Sequence, residues 1–419
     1  MTRRQASVLV GLAAVLPRLA VLLYERGSIL SAFTEKSDDF ARRFVDTGTF
    51  GLVPGQPSAW TQPLYGFFLI PIYWIFGRHW WSVGFIQIGV ALATALVVLE
   101  VGRRFVSLRA GTIAAVVATL NPYLVWHDVH LNREVLDQVL AALTVLLTLL
   151  VAERRSWRLG ALLGLVLGLA ILSNTRLVLL PLLVVGFLLF LRRDFVAAIA
   201  VIGVCALVLV PWATRNAVSV GCFTLTTDAR ALWKANNANT YATLAAGKWI
   251  DDVPRLPGSP YTPEEAETLY FRDHKLVHVD ECAQMRRYRQ LALAFWVDHP
   301  GEKAKLAGQA TRMLWDPRAI RTQGREGKGG FVDKARTWVQ PGYEIPLYVL
   351  ALLGVFALPR RVAALIVLLL AYQTLAAAGF AGVTRYRVPW DFTLALCAAP
   401  ALLALARRLP RLVARHVPA

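Results

Sequence analysis

Glu35-Lys36-Ser37-Asp38-Asp39-Phe40-Ala41-Arg42-Arg43 follows directly on the first long apolar run of the chain, Ala6–Tyr24. Two adjacent carboxylates, an aromatic ring and two arginines stand at the edge of an apolar segment. One reading is a charged loop tip that keeps a helical hairpin in water. The other is a polar site at a membrane surface, where a carboxylate can deprotonate a hydroxyl or hold a divalent cation. On a helix, neighbouring side chains diverge by about 100°, so Asp38 and Asp39 do not share one proton there. One would face the site while the other binds backbone or metal. What the rest of the chain brings to this place decides between the readings.

Outward from this stretch, apolar runs fall at about 6–24, 63–77, 80–101, 110–126, 135–152, 157–173, 177–191, 195–212, 344–358, 362–381 and 391–406. With 56% hydrophobic residues, they make the chain an all-α polytopic membrane protein. The net charge of +18 would suggest nucleic acid in a soluble chain. Here the cations sit in short clusters between apolar runs, the positive-inside pattern, and nucleic-acid binding is excluded. Leu22-Leu23-Tyr24-Glu25-Arg26 offers no small-residue cleavage site after the first run, which reads as an uncleaved anchor.

Parity constrains the topology. Basic clusters lie at Arg3-Arg4, Arg103-Arg104 with Arg109, Arg154-Arg155 with Arg158, Arg192-Arg193, Arg360-Arg361, and Arg407-Arg408 with Arg411. All lie in the cytoplasm only if one run between 25 and 101 does not cross. Run 63–77 is short, bounded by Pro63 and broken by Pro71, and is expected to be juxtamembrane or re-entrant. About ten spans remain, with both termini inside. Three regions follow: 1–212, a transmembrane module whose external loop 25–79 carries the acidic pair; 213–340, an extracytoplasmic segment; and 341–419, the last spans and a basic cytoplasmic tail. Residues 127–134, 173–176 and 383–388 join 25–79 and 213–340 outside.

Within 213–340, Pro254, Pro257, Gly258, Pro260 and Pro263 punctuate a loop. Thr262-Pro263-Glu264-Glu265 predicts a helix start with Thr262 as N-cap, and helical periodicity continues to about Val297. A second helix is expected over about 301–315, after Asp298-His299-Pro300-Gly301, and the Gly-rich run 323–330 reads as a loop. No repeat of fixed period occurs. Cys205 and Cys397 fall within spans and read as packing residues. Cys222 and Cys282 both fall in the external segment, where a disulfide is permitted. The alternative is two free thiols.

Four further constellations sit on the same face. His127-Asp128-Val129-His130-Leu131-Asn132-Arg133-Glu134 offers metal ligands, or headgroup contacts and helix caps. Its Glu134 suits the N-terminus of the next span and can point into a cavity. Pro211-Trp212-Ala213-Thr214-Arg215-Asn216 ends a span, and Thr384-Arg385-Tyr386-Arg387-Val388-Pro389 joins the last two. Arginine is the residue for phosphate at a low-dielectric boundary, and an extended loop would project Arg385 and Arg387 to one side. Snorkelling to lipid phosphates is the plainer role. Ser173-Asn174-Thr175-Arg176 adds a polar cap. Arg18, inside the first span, costs about 2.5–3.5 kcal/mol on insertion scales and should face protein or a water-filled cavity.

Together these residues resemble a family. The acidic doublet followed by Thr61-Gln62-Pro63-Leu64-Tyr65 resembles the C-type (GT-C fold) membrane glycosyltransferases, specifically the protein O-mannosyltransferase and aminoarabinose transferase group. The resemblance continues through Asn121-Pro122-Tyr123, Glu134, the Pro-Trp-x-x-Arg-Asn at 211–216, Asn236-Asn237, Trp296-x-x-His299-Pro300-Gly301, Trp315 and Arg385-Tyr386-Arg387-x-Pro389. Gln62 departs from the family's usual first proline, and no large C-terminal soluble domain follows. The resemblance implies a GT-C-like bundle that transfers a sugar from a polyprenyl-phosphate donor on the outer face, with inversion. It implies Asp38 as base with Asp39 second, Glu134 orienting acceptor or metal, and Arg215, Arg385 and Arg387 on the donor phosphate. It implies Tyr65, Asn216, Asn237 and Tyr386 as substrate contacts. Members differ in metal need, so a divalent cation, Mg2+ or Mn2+, stays open. A phosphate leaving group needs no general acid, and fixed arginines meet its charge. The acceptor is a glycan, a lipid or a protein. Richness in Ala, Val and Arg fits a bacterial plasma membrane.

A transporter or flippase is the rival class. Transporters place ionisable groups near the bilayer midplane on broken helices, whereas the spans from 135 to 212 carry few. A structural membrane subunit would not need acids and arginines gathered at one face.

Overall fold

The structure, a computed structural model, describes residues 1–31, 34–248, 250, 253, 271–272, 275–276, 280–318 and 335–413. The chain folds as an all-α polytopic membrane protein. Among the described residues, seven helices are long and apolar enough to cross a bilayer. They include α1 (Arg3–Tyr24), and a short α2 (Lys36–Thr47) and α3 (Pro63–Phe76) separate it from α4 (Trp80–Phe105). The apolar run 110–126 breaks at Asn121-Pro122 into α5 (Leu108–Thr119) and α6 (Pro122–His127), with Asn121 accepting from the Tyr123 amide. Next come α7 (Glu134–Arg154), α8 (Trp157–Ser173), α9 (Leu180–Arg192) and α10 (Phe195–Ser219).

At 14 residues, α3 is about 21 Å long, short of the roughly 30 Å apolar core. It packs on α2 and also touches α8 and α4. α7 and α9 stop at Arg155 and Arg193, both left-handed at φ 44° and 50°, so cations close both helix C-termini.

α8 and α10 approach closely along glycines. A Cβ on Gly164 would stand 2.4 Å from the Val201 carbonyl oxygen, so only glycine admits this contact. α7 is buried over most of its circumference and forms the middle of the bundle. Its neighbours include Ala95, Val98, Leu167 and Leu369 in one continuous apolar core.

Outside the bundle lie α11 (Arg230–Lys234), α12 (Thr240–Ala245), α13 (Glu281–Asp298) and α14 (Pro300–Trp315). The helix expected from Thr262 to Val297 is corrected. Residues 271–272 (β1) and 275–276 (β2) pair as an antiparallel ribbon, and the helix begins at Glu281, capped by the Asp280 side chain on the Ala283 amide. A two-residue reversal cannot be told from helix by periodicity alone. Thr262 itself and the glycine-rich run 323–330 lie outside the described residues. Cys222 and Cys282 form a disulfide, Cα–Cα 5.9 Å, and Cys205 and Cys397 are free and buried. The chain closes with α15 (Gln340–Gly354), α16 (Arg360–Gly379), α17 (Thr384–Arg387) and α18 (Asp391–Val413).

Candidate active site

α2 begins after Glu35 and ends on Gly48, left-handed at φ 71°. Its apolar face carries Phe40 and Ala41 onto α3, and the same face takes Asp38 inward. Asp38 is 2% exposed while Asp39 lies open, so the doublet splits as helical spacing requires. Arg78 grips Asp38 with two N–H groups, at 3.0 Å to Oδ1 and 2.7 Å to Oδ2. The Tyr73 hydroxyl donates to Oδ1 at 2.5 Å. Partial desolvation at its base and the neighbouring Asp38 push the Asp39 carboxyl above its ordinary pKa, against the pull of Arg42 and Arg78.

One turn away, Glu35 meets Arg385 in a close ion pair. The Arg385 Nε donates to Glu134 Oε1 at 2.6 Å. One guanidinium thus ties the start of α2 to the start of α7. Arg133 lies beside it, donating to Gln62 at 3.1 Å and facing Asp137 at 3.5 Å, and Asp137 also accepts from Ser173 at 2.5 Å. Arg176 stacks on Tyr386 at 3.7 Å and donates to the Ala381 carbonyl at 3.3 Å. At this cluster Glu134 Oε2, Nε of Arg133, and Nε and Nη1 of Arg176 are buried without a hydrogen-bond partner.

Other expected site residues stand elsewhere. Arg387 is fully buried between Glu344 at 2.8 Å and Asp391 at 3.0 Å, and presents no face to a phosphate. α17 is a helical turn, not an extended loop, so Arg385 and Arg387 diverge by about 200°. Arg215 donates to the carbonyls of Ser58 (2.9 Å) and Phe50 (3.2 Å), fastening the first loop to α10. Asn216 is buried and donates to Thr224 O at 2.7 Å. Tyr65 donates to Gln87 at 2.6 Å, and Gln87 in turn holds the carbonyls of Asp128 and His130. Asn237 closes a turn on Trp233 and Lys234. These five are braces around the cluster. Tyr386 stays at it, as the platform under Arg176.

Among the described residues no three of His, Cys, Asp and Glu are placed to hold a metal. His127 stacks on Tyr123 at 3.9 Å and His130 on Trp126 at 4.9 Å, both as packed rings. Arg18 meets Asp128 at 2.7 Å, both buried, and also binds Thr119, so its charge faces protein. Nearby, Lys303 donates to Asn236 at 2.6 Å and to the last carbonyls of α16, Ala378 and Gly379, at 2.9 Å. Burial pushes its pKa down to about 8.

Glu35, Arg78, Arg133 and Arg176 join the site without having been assigned to it. Arg176 had a signal: it is a lone cation between two apolar runs with no acid beside it. Arg78 had none.

The fold and this cluster define an integral membrane protein with a buried charged site at one end of its bundle. Residues 57–215 match the family model of the dolichyl-phosphate-mannose-protein mannosyltransferases, less than half of the chain. No curated protein matches it significantly. A crystal structure of ArnT from Cupriavidus metallidurans bound to undecaprenyl phosphate is similar at 15% identity and a TM-score of 0.48, over 100% of this chain and 82% of that one.

Proposed function

We propose that the chain is a glycosyltransferase that moves a sugar from a polyprenyl-phosphate carrier to a hydroxyl acceptor on the outer face of the membrane. The observation that carries this is one cluster that gathers the buried carboxylates of Asp38 and Glu134 with the guanidiniums of Arg385 and Arg176, the latter keeping two N–H groups without a partner. Transfer from a phosphate needs a carboxylate to take the acceptor's proton and fixed donors for the charge left on phosphate. The mannosyltransferase match supports it, since 57–215 contains Glu134 and Arg176. The disulfide of the extramembrane segment supports the outer face, because structural disulfides persist where oxidation is permitted.

Asp38 is the base in this reading. The Tyr73 hydroxyl on Oδ1 occupies the place an acceptor hydroxyl would take, while Arg78 holds the carboxylate still. The acceptor oxygen bonds to the anomeric carbon as its proton passes to Asp38. The bond to phosphate breaks on the opposite face, the electron pair leaving with phosphate toward Arg176 and Arg385, which inverts the centre. Glu134 orients the acceptor. Its open oxygen favours one other reading, in which Glu134 is the base. Arg78 holds Asp38, Arg385 holds both Glu35 and Glu134, and among the described residues no three of His, Cys, Asp and Glu come together, so the donor set does not fit Mg2+ or Mn2+ and no step uses one. The acceptor is a glycan, lipid or protein.

Membranes carrying the protein, offered a panel of polyprenyl-phosphate sugars, test this. Asp38→Asn should abolish transfer with expression intact, Asp39→Asn should impair it less, and Glu134→Gln should retain partial turnover. Near-normal turnover in Asp38→Asn with loss in Glu134→Gln moves the base to Glu134. Consumption of no donor by the wild type favours the transporter.

A further inference from the structure

Glu281, the first residue of α13, is buried although it lies in the extramembrane segment. Its Oε2 accepts from the Ala59 amide at 3.0 Å and from the Thr227 hydroxyl at 2.6 Å. The Thr227 amide donates to Ala59 O at 2.9 Å, so the three residues close a small ring of hydrogen bonds. On one side Asp228 follows, and it pairs with Lys36 at 3.2 Å. On the other side Trp60 follows Ala59, and the Lys36 ammonium sits 3.8 Å over its ring. Lys36 is the first residue of α2, two positions before Asp38. Glu281 is itself fixed from behind, because its neighbour Cys282 is bonded to Cys222 at the end of α10.

We infer that Glu281 is a positioning residue, held by the Cys222–Cys282 bond, that sets α2 and its acidic pair against the bundle. The path runs from the covalent tether at α10, through Glu281 to Ala59 and Thr227, then through Trp60 and Asp228 to Lys36. A buried carboxylate accepting two donors is costly to remove, since both are left unpaired. The effect should therefore reach α2 and leave the spans alone. The inference rests on the transferase reading only for its activity readout.

The test uses the full chain in lipid nanodiscs, with hydrogen exchange and turnover measured on the same preparations. Glu281→Ala should speed exchange in 36–47 and 57–61 by about tenfold or more, while α7 and α18 keep their protection. Reduction of the wild type with dithiothreitol should do the same. Turnover should fall about tenfold with donor KM within about twofold, and Glu281→Gln, which keeps an accepting oxygen, should recover most of it. Adding Cys282→Ser to Glu281→Ala should cost less than about twofold more, because both act on one path. Unchanged exchange over 36–47 in Glu281→Ala overturns the inference, as do losses that multiply in the double variant. If Glu281→Ala loses protection in the spans, the reduced wild type decides in its place: fast exchange confined to 36–47 and 57–61 supports the inference, and none there overturns it. A wild type without transfer activity overturns the transferase reading, and the exchange result still decides this one.

Discussion

Arg385 and Arg387 show how two residues of one type part company. Arg385 bridges two acids on separate helices and is partly open. Arg387 is sealed between Glu344 and Asp391. Arg387→Met should strip two buried carboxylates of their cation and cost about 3–5 kcal/mol, read as a lower unfolding midpoint and lower expression. Arg385→Lys keeps the charge but loses the fork that spans both acids. It should leave the midpoint close to wild type while donor KM rises and turnover falls, measured in the sugar-transfer assay. Asp38, Glu134 and Arg385 were legible in the sequence because charges at the edge of apolar runs demand a reason. Their pairing was not. Arg385 finds Glu35 and Glu134 across 350 and 251 residues, and which face each presents depends on helix rotations that no local pattern carries. The burial of Arg387 and Asn216 was hidden for the same reason, since it is set by α15 and by residue 224.

The helices themselves were largely readable, because span-length apolar runs and basic clusters mark them at both ends. What periodicity missed was the pairing of 271–272 with 275–276 and the break at Asn121. The close seam of α8 and α10 invites a direct test. Gly164→Leu would drive a side chain into the Val201 carbonyl and should cost about 1–3 kcal/mol, seen as a lower unfolding midpoint, with Gly186→Leu, where open space surrounds the position, near neutral. The clip between α2 and Asp228 gives a pH dependence. Burial raises the Asp228 carboxyl, but Lys36 and Arg230 outweigh it and hold its pKa below the ordinary value. A carboxylate with a depressed folded pKa contributes stability above its unfolded pKa, about 4, that is lost as pH falls through the folded one. Exchange protection of α2 in the wild type should exceed that in Lys36→Met at neutral pH. The gap should close in acid, and a gap independent of pH would break the assignment.

For the whole molecule, the placement of α3 is the hinge of the topology. Cysteines placed at Arg104 and Arg155 should resist labelling from outside intact cells, while one at Gln290 on α13 should label. Labelling of either of the first two would overturn the topology and with it the assignment of the cluster to the outer face. Arg18 carries a different consequence. Its partner Asp128 lies 110 residues further along the chain. At about 5–20 residues per second, α1 emerges from the ribosome roughly 5–20 s before the acid that neutralises it exists. During that interval the first helix enters the bilayer carrying a naked cation, at about 2.5–3.5 kcal/mol. The buried pairing of Arg18 is therefore complete only once Asp128, just past the end of α6, has been made.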